Sequence, residues 1–195
     1  MIPAVLALAS GTLLFSREGA DAPPFHADFS WPQSEDTLET PLGLTRKQWI
    51  AFLKVAQSGK PCTVTPAFRL GAFGMTVRRL CDLGAMEDPQ VIRYKGRQVW
   101  DARWANPSDL KAFQGAPLTQ YALFCESMTD YNDREELART VGQIVDGQTV
   151  TRSGALMLAH RAGLAGMASW VQDPKIRHRF RDNTTAFFGR ANGIF

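Results

Sequence analysis

Residues 45–59 read TRKQWIAFLKVAQSG, and their spacing predicts an amphipathic helix. Trp49, Phe52, Leu53 and Ala56 recur at intervals of three and four, which lays them along one face of a 3.6-residue period. Thr45 stands where a hydroxyl accepts from the first free backbone N–H groups, and Gly59 with Pro61 beyond it supplies a stop. From Thr40 to Cys81 the chain holds no Asp or Glu. The helix therefore opens onto Gln57 and Ser58, where a catalytic acid could otherwise stand.

The flanking segments extend the same plan. Residues 70–84, LGAFGMTVRRLCDLG, read as a glycine turn leading into a helix with Val77, Leu80 and Cys81 inward and Gly84 as terminator. VIRYKGRQVW, residues 91–100, alternates about Lys95 and Gly96 and predicts a short hairpin. Residues 106–115 predict a short helix capped by Ser108. Residues 116–145 read as one long or two shorter helices, with an apolar stripe of Leu118, Tyr121, Ala122, Phe124 and Cys125. VDGQTVT, residues 145–151, resembles a turn between two short extended pieces.

Residues 153–173 predict a second strong helix, capped by Ser153 and ended by Pro174, whose glycines and alanines make a thin surface for close helix contact. The last twelve residues, TTAFFGRANGIF, are expected to tuck Phe187 and Phe188 into the core. Helices outnumber strands, so the expected class is mainly α with one small β-hairpin.

Residues 1–43 differ in kind. The apolar MIPAVLALASGTLLF is too short to span a bilayer and lacks the basic residues that precede a signal-peptide core, although ALAS loosely resembles a cleavage site. It reads as a segment packed on the domain or as an anchor inserted into a partner subunit. An arm rich in Pro, acidic and small residues follows, with isolated Phe25, Phe29 and Trp31 as partner-binding anchors. The division expected is thus an apolar start and extended arm over 1–43 and a helical domain over 44–195.

Charge is segregated along the chain. Residues 1–40 set Arg17 against Glu18, Asp21, Asp28, Glu35, Asp36 and Glu39, while the segment from Arg152 to Arg190 is basic. An acidic front and a basic tail attract each other within a chain or between copies. A nucleic-acid binder more often shows one undivided basic surface, so no nucleic-acid partner is expected. Cys62, Cys81 and Cys125 have no CxxC spacing and no histidine at ligand distance in sequence, which predicts buried free thiols, no metal and no cofactor.

Four segments, residues 45–59, 70–84, 147–166 and the Phe-rich C-terminus, together resemble a group of lysozyme-like, lytic-transglycosylase-like domains of phage and proteobacterial envelope proteins. In that group a first helix ends in a Val-Glu-Ser-Ser-Gly type sequence. A Leu-Gly-x-Tyr/Phe-Gln segment then opens a helix with a Leu-x-Asp-Leu-Gly stop, and a Thr-x-Ser-Gly helix carrying Ala-His comes near the end. Order and spacing over residues 44–190, more than any single motif, carry the resemblance. It implies a lysozyme-like helical domain and a glycan cleft.

The departures bear on activity. The alignment of Val55, Ser58 and Gly59 places Ala56 where the family's catalytic Glu stands, or Gln57 if the register slips by one. The aromatic-Gln pair appears as Phe73 and Gly74, while His160 is kept. The resemblance thus implies a vestigial glycan cleft of Ala56, Gln57, Ser58, Phe73 and His160 with no catalytic residue. Breaking a glycosidic bond needs a carboxylic acid to protonate the leaving oxygen, and general acid catalysis of this kind contributes about two to four powers of ten. Neither a methyl group nor an amide supplies that proton.

Glu126, Glu135 and Glu136 read as solvated surface groups. Glu18 resembles the Glu-Gly of phage lysozymes without the helix and sheet pattern that should surround it. His160 reads as a packing histidine on an apolar helix, and Ser153-Gly154 as a helix start, since no strand precedes it. The expectation is a catalytically inactive, lysozyme-like structural or binding component of a phage-type particle, located in a virion or at the cell envelope. Neighbouring subunits or peptidoglycan would be its partners. The alternative is a peptidoglycan muramidase or lytic transglycosylase that uses an acid outside the motif.

Overall fold

The computed structural model describes residues 40–57, 69–94, 96–177 and 184–195. The apolar start, the arm with Glu18, Phe25, Phe29 and Trp31, and the segment holding Ser58, Gly59, Pro61 and Cys62 lie outside them. The described chain is mainly helical with small antiparallel hairpins. It falls into two compact units. One is formed by described residues between 58 and 124, and the other by those in 40–57 and 125–195.

Helix α1, Arg46–Ala56, belongs to the second unit and follows the predicted period: Trp49, Phe52, Leu53 and Ala56 are the buried positions. Its start is a capping box. The Thr45 hydroxyl accepts from the Gln48 N–H at 3.4 Å while the Gln48 side-chain oxygen accepts from the Thr45 N–H at 3.1 Å.

In the first unit, strands β1 (Arg69–Leu70) and β2 (Met75–Thr76) pair antiparallel across the glycine turn. Helix α2, Val77–Asp82, starts at once, capped by the Thr76 hydroxyl, and the chain reverses at Gly84, whose φ is +71°. Val77 and Leu80 point inward as expected, but Cys81 is only half-buried. Strands β3 (Met86–Tyr94) and β4 (Arg97–Trp104) then form the predicted hairpin at greater length, pairing from Met86 with Trp104 to Tyr94 with Arg97. A bulge between Glu87 and Gln90 interrupts the ladder, and α2 packs on both strands.

Helix α3, Leu110–Gln114, is capped by Asp109, not by Ser108. The Asp109 carboxylate accepts from the Ala112 N–H at 2.7 Å, and a charged acceptor makes the stronger bond of two neighbouring candidates. Phe113 has no exposed surface and its ring lies 5.0 Å from that of Trp104.

Helix α4, Pro117–Asn132, begins in the first unit and continues into the second beyond Phe124. Its buried positions are Gln120, Leu123, Phe124, Ser127, Met128 and Tyr131. Leu118 and Ala122 are exposed, which moves the expected stripe round the helix. Two polar residues, Gln120 and Ser127, lie on the true inner face, so apolar content alone selects the wrong one.

The rest of the second unit comprises α5 (Glu135–Thr140), β5 (Ile144–Val145), β6 (Gln148–Thr149), α6 (Arg152–Gln172), α7 (Pro174–Arg177) and α8 (Thr184–Ala191). Strands β5 and β6 flank Asp146-Gly147, the turn expected there. The described residues thus hold three two-stranded hairpins, where the sequence led us to expect one. Two-residue strands carry too short an alternation to register as strands.

Helix α6 packs on α5, α7 and α8. Its cap is Thr151, whose hydroxyl accepts from the Gly154 N–H at 3.3 Å, and not Ser153, which is buried within the first turn. Phe188 is buried with its ring 4.9 Å from that of Trp170. Phe187 is half-buried instead, with the Arg161 and Arg190 guanidiniums 4.3 and 4.5 Å from its ring centre.

Candidate functional site

The motif positions are set by the end of α1. Ala56 has no exposed surface, so its methyl group is core. Gln57 leaves the helix with ψ 108°, its N–H donating to the Leu53 carbonyl at 2.8 Å, and its side chain is half-buried. His160 is 6% exposed and lies within the unbroken buried run from Ser153 to Arg161. Ala56, Gln57 and His160 belong to the second unit and Phe73 to the first; Ser58 lies outside the described residues.

Phe73 occupies the turn between β1 and β2, where its ring stacks on Phe124 at 4.4 Å. Around it the turn is tied down by Gln120, a residue the sequence reading missed. The Gln120 side-chain oxygen accepts from the Ala72 N–H at 2.9 Å, and its amide group donates to the Phe113 carbonyl at 2.7 Å. Gly71, at φ +74°, makes room for this: a Cβ there would stand 2.5 Å from the Gln120 oxygen. The Gly71-x-x-Gly74 pattern is thus a close-approach turn that satisfies buried backbone groups. The available signal was a lone glutamine four residues before Phe124.

The Thr-x-Ser-Gly motif resolves in the same structural sense. The Ser153 hydroxyl donates to the Ala191 carbonyl at 2.6 Å, and the Ser153 N–H donates to the Phe195 carbonyl at 3.2 Å. The Thr151 N–H donates to the Asn192 side-chain oxygen at 2.7 Å, and the Gly193 N–H to the Thr151 hydroxyl at 2.9 Å. Gly154 has no room for a side chain, since a Cβ would fall 2.3 Å from that Asn192 oxygen. These groups clamp the C-terminal segment onto the start of α6, and Phe195 then reaches the Phe52 ring at 5.4 Å.

The described carboxylates divide by environment. Glu126, Glu135 and Glu136 are exposed, and Glu135 pairs with Arg139 one turn on. Asp101 differs: it is half-buried on β4 opposite Gln90, beside the bulge. Burial raises its carboxyl above the usual range, and the Ala102 N–H, donating at 3.0 Å, pulls partly back. The Cys81 thiol is likewise pushed up, first by burial and then by Asp82, with Arg78 opposing. No group of three or more His, Cys, Asp or Glu among the described residues could hold a metal ion.

The most exposed apolar surface of the first unit's hairpin is a directly opposed pair, Val91 at 52% and Trp100 at 39%. Opposed residues share a face, so the next pair but one, Arg93 with Gln98, extends the same surface, and both are exposed. The Arg78 guanidinium stands 5.5 Å from the Trp100 ring centre. Chemically this is an aromatic surface with a guanidinium over one ring, and that guanidinium also pairs with Asp82 at 3.2 Å.

No family model, no curated protein and no solved structure matches this chain.

Proposed function

We propose that the chain is a lysozyme-like helical protein that has lost its proton donor and serves as a structural or binding component of a phage-type particle, in a virion or at the cell envelope. The observation that carries this reading is Ala56: where the resemblance expects the acid, a methyl group with no exposed surface closes the helix face. Gln57 beside it hydrogen-bonds but does not donate a proton to a leaving oxygen. The clamp on α6 and the Gln120 key account for the retained motifs through stability alone. The acidic arm would join neighbouring copies, gaining contact area without a core of its own.

Removing residues 1–43 tests the role. The expected result is a folded chain by circular dichroism that no longer assembles by sedimentation. Assembly unchanged by the truncation overturns the reading.

Asp101 favours a second reading, a peptidoglycan glycosidase whose acid lies on the hairpin, because a partly shielded carboxyl held protonated to higher pH suits general acid catalysis. A zymogram on purified sacculi separates the two. Clearing by the wild type that is lost in Asp101→Asn and kept in Glu18→Gln, Glu126→Gln and Glu135→Gln establishes the enzyme.

A further inference from the structure

We infer that the exposed face of the β3–β4 hairpin, around Val91, Arg93, Gln98 and Trp100, is the receptor for the acidic arm of a second copy of this chain. The inference rests on the reading that the arm joins copies and names where it lands. Charge complementarity carries it. Between residues 18 and 45 the chain has six acidic residues and no Lys or Arg. Residues 91–100 hold three basic residues and no acid, and Arg93 is the one that the pairing places on the Val91–Trp100 face. Arg93 makes no ion pair among the described residues, so its charge is available to an incoming carboxylate.

Apolar chemistry matches as well. The arm presents Phe25, Phe29 and Trp31 as single aromatics, and the exposed Val91–Trp100 pair offers apolar surface against which one ring can lie, with Arg78 over the Trp100 ring. Strands β3 and β4 form a sheet of two strands only, so among the described residues neither outer edge carries a third. An extended segment can hydrogen-bond along such an edge while its alternate side chains reach the face. Reach is ample: 22 residues of arm, 18–39, extend to about 70 Å.

Two full-length variants test this together. One carries Arg93→Glu with Trp100→Ala and keeps its arm. The other carries Phe25→Ala, Phe29→Ala and Trp31→Ala with Asp28→Asn, Glu35→Gln and Asp36→Asn, and keeps its hairpin. Sedimentation velocity is expected to show each alone as a monomer and their equimolar mixture as a 1:1 complex, because one intact arm then meets one intact receptor.

Self-association of the hairpin variant at wild-type strength overturns the inference and leaves the arm's role standing, since the arm then lands elsewhere. Two monomers that do not combine overturn the second copy as occupant, and point to an arm held by its own chain or by a different partner. A wild type that is itself monomeric removes the underlying reading and the inference with it. Should circular dichroism show the double hairpin variant unfolded, Arg93→Glu alone carries the comparison, because an exposed charge reversal leaves the core intact.

Discussion

Gly71 shows how much one residue holds in the first unit. It sits at φ +74° with its missing Cβ 2.5 Å from the Gln120 oxygen, so alanine meets both backbone strain and displacement of a buried hydrogen-bonded amide. Gly71→Ala should cost about 2–4 kcal/mol, adding a left-handed backbone penalty to the loss of a buried bond. Chemical denaturation measures it, and a cycle with Gln120→Ala should show coupling, because removing the amide relieves the clash. The turn was legible as glycine chemistry, whereas its partner was not. Period counting marks a polar residue in an apolar stripe as a misfit, and only the fold brings Ala72 and Phe113 to it. The same holds for Ser108 and Asp109, and for Ser153 and Thr151: neighbouring residues are equally able to cap, and the strand-like entry of the chain decides between them.

Asp101 belongs to this scale too. Its folded pKa lies above the unfolded value, so the group favours the fold fully below the unfolded pKa, about 3.9, and that contribution is lost as pH rises through the folded pKa. Asp101→Asn should therefore flatten the fall in stability over that window and be relatively more stable near neutrality. Thermal melts across pH 3 to about 7 detect it. An unchanged profile would mean that the carboxyl is not shielded.

At the scale of elements, α6 carries the clearest internal exception. Its helix is broken at Gly163, where φ 73° and ψ 169° place the backbone in a region open almost only to glycine. A Cβ there meets nothing within 4 Å, so crowding is not the obstacle and the backbone conformation alone is. Gly163→Ala should destabilise by roughly 1–3 kcal/mol, read as a lower denaturant midpoint with an unchanged slope. A neutral outcome would show that the two halves can join as one straight helix. The sequence led us to expect continuity here, because glycine within an otherwise periodic run gives no sign of whether it serves contact or a break. Gly154 does serve contact, against Asn192 and Phe188, as the small-residue surface implied. The start and inner face of helix α1 were legible, since Trp49, Phe52, Leu53 and Ala56 at regular spacing leave one possible inner face, whereas its end falls at Ala56, before the glycine expected to stop it. Helix α4 was not, because its inner face mixes Gln120 and Ser127 with Phe124 and Met128.

For the whole molecule the decisive quantity is where charge sits. The first 40 residues hold one arginine and six acids, so the remainder carries twenty-one basic residues against thirteen acids. If arms join copies by this imbalance, association must weaken with salt, because the Debye length falls from about 10 Å at 0.1 M to about 3 Å at 1 M. The aromatic anchors oppose that trend, since salt does not screen apolar contact. Sedimentation in rising sodium chloride should thus show complexes that loosen steeply at first and then level off, the plateau being the share held by Phe25, Phe29 and Trp31. Replacing the three by alanine should remove the plateau and keep the initial slope, whereas Arg93→Glu, which sets a carboxylate against the acidic arm, should leave the chain monomeric at low salt. A peptidoglycan glycosidase with Asp101 as its acid predicts something else: a monomer whose size ignores salt and whose clearing of sacculi vanishes with Asp101→Asn. Particle mass against ionic strength therefore separates scaffold from enzyme without a substrate being chosen in advance.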